Sequence, residues 1–173
     1  MIRNICAASL LLTLLFSGMA LAKPAANFEL DDLDGDSYSL EDMMEEHEVV
    51  LIDFWEVGCI PCNELLVHLH EYYLDLQEEG FGMYIISRDT SLTEAMIEPF
   101  FKTNKYTWKI LRDGDQEVSK DYGVKASPAT FLIKDGKIIY QHYGYSKGQE
   151  EEILEAITAA LEGKDLGVLE EVD

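Results

Sequence analysis

Two cysteines with two residues between them, Cys59 and Cys62, are the part of this sequence best suited to chemistry. They follow the apolar run Val49–Trp55, which is typical of a buried strand, and precede an amphipathic stretch at residues 63–79 with helical spacing. The unpaired N–H groups and the positive dipole end of a helix N-terminus stabilise a thiolate, which is the reactive form of cysteine. The pattern therefore predicts a redox-active dithiol in which one sulfur is a nucleophile.

Other uses of a cysteine pair are less well supported. A disulfide that closes so short a loop stabilises a fold by only about 2 kcal/mol, against about 5 kcal/mol for a long loop. Structural zinc needs four ligands, and the sequence has no second cysteine pair. His68 and His70 are two positions apart on the predicted helix, so they point to different faces and cannot bind one metal ion together. Covalent haem attachment needs a histidine directly after the second cysteine, where this chain has Asn63. A copper site made by the pair and one of the four histidines stays open as an alternative; His68 and His70 lie on the predicted helix that follows the cysteines, and His47 and His142 lie elsewhere.

The N-terminal residues have the three-part pattern of a secretory signal peptide. Arg3 is followed by an apolar core at residues 10–16 and then by small residues. We therefore expect residues 1–22 to be removed on export. A retained membrane anchor is the alternative, because the apolar stretch is only slightly short for a membrane span. Removal would take Cys6 away, so the two motif cysteines would have no partner but each other.

The charge of the chain is strongly acidic. Its 173 residues include 13 Lys and Arg against 34 Asp and Glu, which gives a formal net charge of −21. Such a surface repels phosphate backbones and anionic lipids, so nucleic acid and membrane surfaces are not expected partners. A solvated exterior explains this charge, and a surface that attracts a basic protein is the alternative.

The predicted secondary structure alternates between strands and helices. Besides the strand and the helix around the cysteines, we predict a helix at residues 41–48, a strand at Phe81–Ser87, a helix at residues 92–104 that is interrupted or bent near Pro99, a strand at residues 108–111 and a last helix at residues 149–161. Strands that alternate with helices pair in parallel through crossover connections.

Two predicted hairpins add antiparallel strands. The dipeptide Asp34-Gly35 lies within an alternating segment at residues 28–40, and Asp135-Gly136 separates two strands at residues 130–143. The first hairpin opens the predicted domain, and the second makes the sheet mixed. The expected class is α/β, with a mixed central sheet flanked by helices and an extra N-terminal β-hairpin.

The order of these elements and two motifs resemble the thioredoxin-like superfamily. Residues 53–62 (DFWEVGCIPC) resemble the thioredoxin active-site segment, and residues 123–138 (GVKASPATFLIKDGKI) resemble its cis-proline segment. The opening hairpin is similar to that of the exported TlpA-like branch of thiol:disulfide reductases, which includes the reductases of cytochrome c maturation. The resemblance covers residues 23–163, which are expected to form a thioredoxin-like domain, and leaves residues 164–173 as an acidic tail.

The resemblance implies roles for the residues around the cysteine motif. Cys59 would attack a substrate disulfide, and Cys62 would resolve the mixed disulfide. Asp53 matches the buried acid of thioredoxins, and its place in an apolar run predicts a raised pKa that suits a proton relay to or from the resolving sulfur. An Asp53 that faces solvent at a frayed strand end is the alternative. Glu56 is a second candidate acid or base.

The second motif is expected to bind the substrate. The resemblance implies a cis peptide bond between Ser127 and Pro128. Ser127, Pro128 and Ala129 would then contact a substrate chain that adds to a strand edge by backbone pairing. The remaining predicted substrate contacts lie around the cysteine pair: Trp55, Ile60 and Pro61.

Two positions depart from the family pattern. Gly58 stands where the family usually has Trp, and Ile60 replaces the glycine of the usual Gly-Pro pair. We therefore expect a less bulky and more mobile rim around the cysteines. The acidic neighbours Glu56 and Glu64 disfavour a thiolate, which predicts a reducing couple, nearer the roughly −270 mV of thioredoxin than the roughly −120 mV of strong oxidants.

The predicted function is that of an exported thiol:disulfide oxidoreductase, a reductase of protein disulfides in the periplasm. Its expected partners are proteins that bear disulfides and an upstream dithiol electron donor, and it needs no cofactor and no resident metal. A disulfide oxidase or isomerase and a copper-binding chaperone are the alternatives.

Overall fold

A five-stranded mixed sheet lies at the centre of the computed structural model, which describes residues 23–164 and 166. The strands of the chain are β1 (Glu29–Asp31), β2 (Ser37–Ser39), β3 (Val49–Trp55), β4 (Phe81–Ser87), β5 (Lys109–Arg112), β6 (Ala129–Lys134) and β7 (Lys137–Tyr143). The helices are α1 (Leu40–Glu46), α2 (Ile60–Leu76), α3 (Ile97–Asn104), α4 (Glu117–Asp121) and α5 (Glu150–Leu161). The predicted signal peptide, and the predicted tail apart from Lys164 and Leu166, lie outside the described residues.

The central sheet has the strand order β5-β4-β3-β6-β7. Strands β3, β4 and β5 are parallel, whereas β6 is antiparallel to both β3 and β7. Strand β3 is the middle strand, and all seven of its residues are buried, as a continuous apolar run predicts. The predicted α/β class with a mixed sheet is therefore confirmed.

The N-terminal hairpin pairs β1 with β2 in a separate two-stranded sheet, with Gly35 in the turn at a positive φ of 90°. Asp32, which follows β1, forms an isolated antiparallel bridge with Leu111 of β5. The Asp32 carboxylate accepts a hydrogen bond from Lys109 Nζ at 2.7 Å. The predicted extra hairpin is thus confirmed, and it covers the outer edge of the sheet at β5.

The two faces of β3 belong to two separate apolar cores. Leu51 and Trp55 pack on the side of α2, α3 and α5, and Val50, Ile52 and Phe54 pack on the side of α1 and α4. Because side chains alternate along a strand, Asp53 points to the same face as its neighbours two residues away. Asp53 therefore lies on the side of the sheet that is covered by the cysteine-bearing helix α2.

Some element boundaries differ from the prediction. Helix α2 begins at Ile60, three residues early, because Cys59 caps it and Pro61 is tolerated in a first turn. The helix predicted at residues 92–104 is interrupted, as one of the two expected alternatives, but before Ile97: a 3-10 turn at Glu94–Met96 precedes α3, and Pro99 lies within the first turn of that helix without a bend there. Helix α4 was not predicted. Within the described residues, none of the helices combines the length and the apolar character that a membrane span requires.

Candidate active site

The two cysteines lie at the start of α2 and are joined to each other. Their sulfur atoms are 1.98 Å apart, and their Cα atoms are 5.3 Å apart. Cys59 is the N-cap residue, and its Sγ accepts a hydrogen bond from the backbone N–H of Cys62 at 3.3 Å. Cys59 is half-buried, whereas Cys62 has no exposed surface. An incoming molecule can therefore reach only the first sulfur.

The loop between β3 and α2 is fixed by hydrogen bonds. The Glu56 carbonyl oxygen accepts the backbone N–H of Cys59 at 3.0 Å. The backbone N–H of Val57 donates to the Asp89 carboxylate at 2.9 Å, and the Asn63 side-chain amide donates to the Val57 carbonyl oxygen at 3.2 Å. These bonds hold the approach to the helix in one conformation, so Cys59 has a defined place.

Trp55 does not belong to the surface of the site. Its side chain has no exposed surface and packs against Phe100 and Phe101, with ring centroids 5.3 and 5.4 Å away. Its indole N–H donates to the Asn63 side-chain oxygen at 2.8 Å. The predicted substrate contact of Trp55 is therefore wrong, because the alternation along β3 turns this side chain into the core. Trp55 instead stabilises the first turns of α2 from the core through its hydrogen bond to Asn63.

The cis-proline segment lies directly beside Cys59. The bond between Ser127 and Pro128 is cis, and the Ser127 carbonyl oxygen is 3.6 Å from Cys59 Sγ. Pro128 is buried, and its carbonyl oxygen accepts the backbone N–H of Gly144 at 2.8 Å. Ala129 has no exposed surface and lies between β3 and β7. The predicted substrate contact of Ala129 is thus wrong, because strands occupy both sides of it; Ser127 remains half-exposed.

Asp53 is a fully buried carboxyl group. Its Oδ1 accepts a hydrogen bond from the Thr130 hydroxyl at 2.7 Å, and its Oδ2 has no partner among the described residues. Burial raises the pKa of Asp53 to about 7, and the weaker opposing effect of the Thr130 hydrogen bond lowers it. The alternative of a solvent-facing Asp53 is therefore wrong. A carboxyl group that titrates near neutral pH can both accept and return a proton.

Thr130 is a residue of the site that sequence reasoning missed. It lies directly opposite Asp53 in the β3–β6 register. Its position two residues after the predicted cis-proline was the available signal, because side chains at alternate strand positions share a face.

The rim of the site is apolar and open. Ile60 is 72% exposed, and Pro61 is half-buried. Gly58 is exposed, and a Cβ atom added to it would meet no other atom within 4 Å. The space next to the Gly58 Cα atom is thus open, and Ile60 is an exposed apolar side chain next to the cysteines.

Glu56 has a basic neighbour that the sequence did not reveal. The guanidinium of Arg88, a buried residue directly after β4, lies 3.5 Å from the Glu56 carboxylate. Arg88 therefore offsets the negative charge that was expected to disfavour a thiolate at Cys59. Sequence reasoning missed Arg88 because its partners come from distant parts of the chain.

The histidines considered for copper have other surroundings. His68 Nε2 lies 3.7 Å from the Glu150 carboxylate. His70 packs edge-on against Trp108 and Tyr106, and burial lowers its pKa. In the part of the chain that the structure describes, no group of three or more His, Cys, Asp or Glu side chains is arranged to hold a metal ion. No observation on these residues favours the copper alternative.

One half-buried and one fully buried cysteine lie at the start of the helix after the central strand, beside a cis-proline. This arrangement defines a thioredoxin-fold thiol:disulfide oxidoreductase. Solved structures agree with this class. One described as the thiol:disulfide interchange protein DsbE from Chlorobium tepidum is 28% identical, covers 81% of this chain and 96% of its own, and has a TM-score of 0.73. A thiol:disulfide interchange protein from Bacteroides sp. is 25% identical over 86% of this chain and 95% of its own, with a TM-score of 0.68.

The sequence comparisons give the family. The pattern of the AhpC/TSA family matches residues 21–142. Thiol-disulfide oxidoreductase ResA from Bacillus thuringiensis subsp. konkukian is 34% identical over 142 residues, which cover 81% of this chain and 80% of ResA. ResA from Halalkalibacterium halodurans is 30% identical and covers 81% of this chain and 78% of its own. The chain belongs to the AhpC/TSA family and is a homologue of its thiol-disulfide oxidoreductases.

Proposed function

We propose that this protein is an exported thiol:disulfide reductase that reduces disulfides of protein substrates with the Cys59–Cys62 dithiol. The observation that carries the proposal is the unequal placement of the two sulfurs. Cys59 is half-buried at the N-terminus of α2, and Cys62 is completely buried within bonding distance of it. A substrate disulfide can therefore react only with the Cys59 sulfur. The Cys62 sulfur can then react only with the Cys59 sulfur.

The reaction has two exchange steps. The Cys59 thiolate attacks one substrate sulfur, so a bond between them forms, the substrate disulfide breaks and the other substrate sulfur leaves as a thiolate. Cys62 then loses its proton and attacks Cys59 Sγ, which breaks the mixed disulfide and releases the second substrate thiolate. Two electrons pass from the protein to the substrate, and the protein is left with the Cys59–Cys62 disulfide seen in the structure. An upstream dithiol donor would restore the reduced protein.

Asp53 is the proposed acceptor of the Cys62 proton. Its side chain lies on the α2 face of the sheet, on which Cys62 is also buried. Burial raises its pKa to about 7, so it accepts a proton from a thiol more readily than an ordinary carboxylate does. Oδ2, which has no hydrogen-bond partner among the described residues, is the proposed acceptor atom for that proton.

Protein substrates fit the surface around Cys59. The exposed Ile60 and the neighbouring Pro61 offer apolar contact, and Ser127 offers main-chain groups beside the nucleophile. Apocytochrome c is a candidate client, because the branch that this chain resembles includes reductases of cytochrome c maturation and a haem-attachment motif is itself a cysteine pair.

The reducing direction and the export are proposed from the sequence. Ile60 and Pro61 bring no charge between the cysteines, whereas strong oxidants of this fold stabilise the thiolate well. The pattern at residues 1–22 supports export, and the periplasm is the proposed location. Cell fractionation would test the location. A protein found in the cytoplasm with residues 1–22 still attached would contradict it.

The reduction potential tests the proposed direction. We expect equilibration with glutathione or dithiothreitol buffers to give a potential nearer roughly −270 mV than roughly −120 mV. The reduced protein should also reduce insulin disulfides, and Cys59→Ala should abolish this activity. A potential above about −180 mV would favour a disulfide oxidase or isomerase instead.

A further inference from the structure

Arg88 is a buried charge behind the cysteine motif. It follows β4 directly and is only 7% exposed. Its backbone N–H donates to the Trp55 carbonyl oxygen at 2.9 Å, and its carbonyl oxygen accepts a hydrogen bond from Gln116 Nε2 at 3.3 Å. The Arg88 main chain is thus fixed between the end of β3 and the residue before α4. A guanidinium that is so little exposed stays charged and needs hydrogen-bond partners on all sides.

One side of the guanidinium is anchored on α4. Nε donates to the Ser119 hydroxyl at 3.1 Å, and Nη2 donates to Gln116 Oε1 at 3.0 Å. The Ser119 hydroxyl in turn donates to the buried Asp113 carboxylate at 2.5 Å. A negative charge therefore lies one hydrogen bond away from Arg88, and the anchor is rigid because each of these groups is already paired.

The other side of the guanidinium reaches two residues, Ser127 and Glu56, whose main-chain carbonyl groups contact Cys59. Nη1 donates to the Ser127 hydroxyl at 3.1 Å and lies 3.5 Å from the Glu56 carboxylate. The Ser127 carbonyl oxygen is 3.6 Å from Cys59 Sγ, and the Glu56 carbonyl oxygen accepts the Cys59 backbone N–H at 3.0 Å. One nitrogen atom therefore links the cis-proline segment to the loop that leads into Cys59.

We propose that Arg88 is a positioning residue that fixes the Ser127 main chain relative to Cys59 Sγ, and thereby sets the place of a bound polypeptide disulfide. The inference rests on the proposed function in one respect, namely that Cys59 is the nucleophile and Ser127 the substrate contact. Lysine cannot replace Arg88, because one ammonium group cannot donate along these separate directions from a fixed plane. Polypeptide disulfides should therefore depend on Arg88, and small disulfides without a peptide chain should not.

A single exchange step tests the proposal without reference to the direction of the physiological reaction. In protein that carries Cys62→Ala, the Cys59 thiolate attacks the peptide sulfur of a cysteine peptide blocked with thionitrobenzoate. The bond between Cys59 and the peptide forms, the blocking disulfide breaks, and thionitrobenzoate leaves as a coloured anion whose release gives the rate. The small reagent for comparison is dithiobis(nitrobenzoate), which has no peptide chain. The step proceeds whether the native couple is reducing or oxidising, so a failed reductase assignment leaves this test valid.

The variants are Arg88→Lys, which keeps the charge, and Ser127→Ala, which removes only the hydroxyl that Arg88 binds. Loss of a hydrogen bond from a charged group predicts a rate about tenfold lower with the peptide reagent in either variant, and a change of no more than about twofold with the small reagent. The matched control is Arg112→Lys, because Arg112 pairs with Glu94 at 3.1 Å and should leave both rates unchanged.

Two results would overturn the proposal. Equal losses with both reagents would show that Arg88 acts on the thiol or on the fold rather than on peptide placement. Unchanged rates with the peptide reagent would show that the contact does not position the substrate. Thermal unfolding of each variant checks that it is folded, and Ser127→Ala keeps the test available if Arg88→Lys does not fold.

Discussion

Replacement of Asp53 by Asn tests the buried carboxyl group beneath the cysteine helix. Burial raises the pKa of Asp53 from its ordinary value of 3.8 to about 7 in the folded protein. Asparagine has nearly the same size and can still accept the Thr130 hydrogen bond, but it does not ionise. The substitution Asp53→Asn therefore removes the titration while it keeps the packing.

The direction of the effect follows from proton binding. Between about pH 4 and about pH 7 the folded protein binds more protons at this position than the unfolded chain does. The free energy of unfolding of the wild type should therefore fall as the pH rises through this range. Above about pH 7, Asp53 should cause no further fall. The difference between the two pKa values corresponds to about 4 kcal/mol.

Urea unfolding of the oxidised proteins at about pH 4 and about pH 8 measures this effect. The unfolding free energy of Asp53→Asn, measured relative to that of the wild type, should be about 4 kcal/mol higher at about pH 8 than at about pH 4. Glu64→Gln removes an exposed negative charge from α2 and corrects for the change in net charge of this acidic chain. The reasoning is refuted if the difference between wild type and Asp53→Asn is the same at both pH values.

Three further predictions concern the neighbours of the cysteines. Thr130→Val removes the hydrogen-bond donor to Asp53, so the fall in unfolding free energy should extend to higher pH than in the wild type. Urea unfolding at a series of pH values measures this, and a fall over the same pH range as in the wild type contradicts it. Ile60→Ser should raise the KM for a protein disulfide about threefold or more and change stability by less than about 0.5 kcal/mol, because Ile60 is 72% exposed; an unchanged KM argues against Ile60 as a contact. Gly58→Trp should fold with a similar thermal midpoint, since a Cβ there meets no atom within 4 Å, and a large drop in Tm would show that the rim is not open.

Much of the fold follows from local patterns. The apolar run of β3 and the Asp-Gly turns predicted the central strand and both hairpins, because these signals lie within a few neighbouring residues. The buried state of Asp53 was predictable for the same reason, since its neighbours along the strand are apolar. Helix α4 was not, because five residues are too few to show a helical period.

The parts of the site that escaped prediction depend on contacts between distant residues. Arg88 and Ser127 are 39 positions apart in sequence, and no local pattern indicates that they form a hydrogen bond. Trp55 and Ala129 were expected to meet the substrate because they stand close to the motifs in sequence. The sheet decides otherwise, since the alternation of β3 buries one and the strands on both sides of β6 enclose the other.

Trapping of substrate proteins is the measurement that tests the central claim most directly. In Cys62→Ala protein, Cys59 can attack a substrate disulfide but the mixed disulfide cannot be resolved. Non-reducing gels of an exported protein fraction treated with this variant should show covalent complexes that dithiothreitol separates by reduction. The variant Cys59→Ala should form no such complexes. Complexes of equal amount with Cys59→Ala, or no complex with Cys62→Ala, would contradict Cys59 as the nucleophile of a protein disulfide reductase.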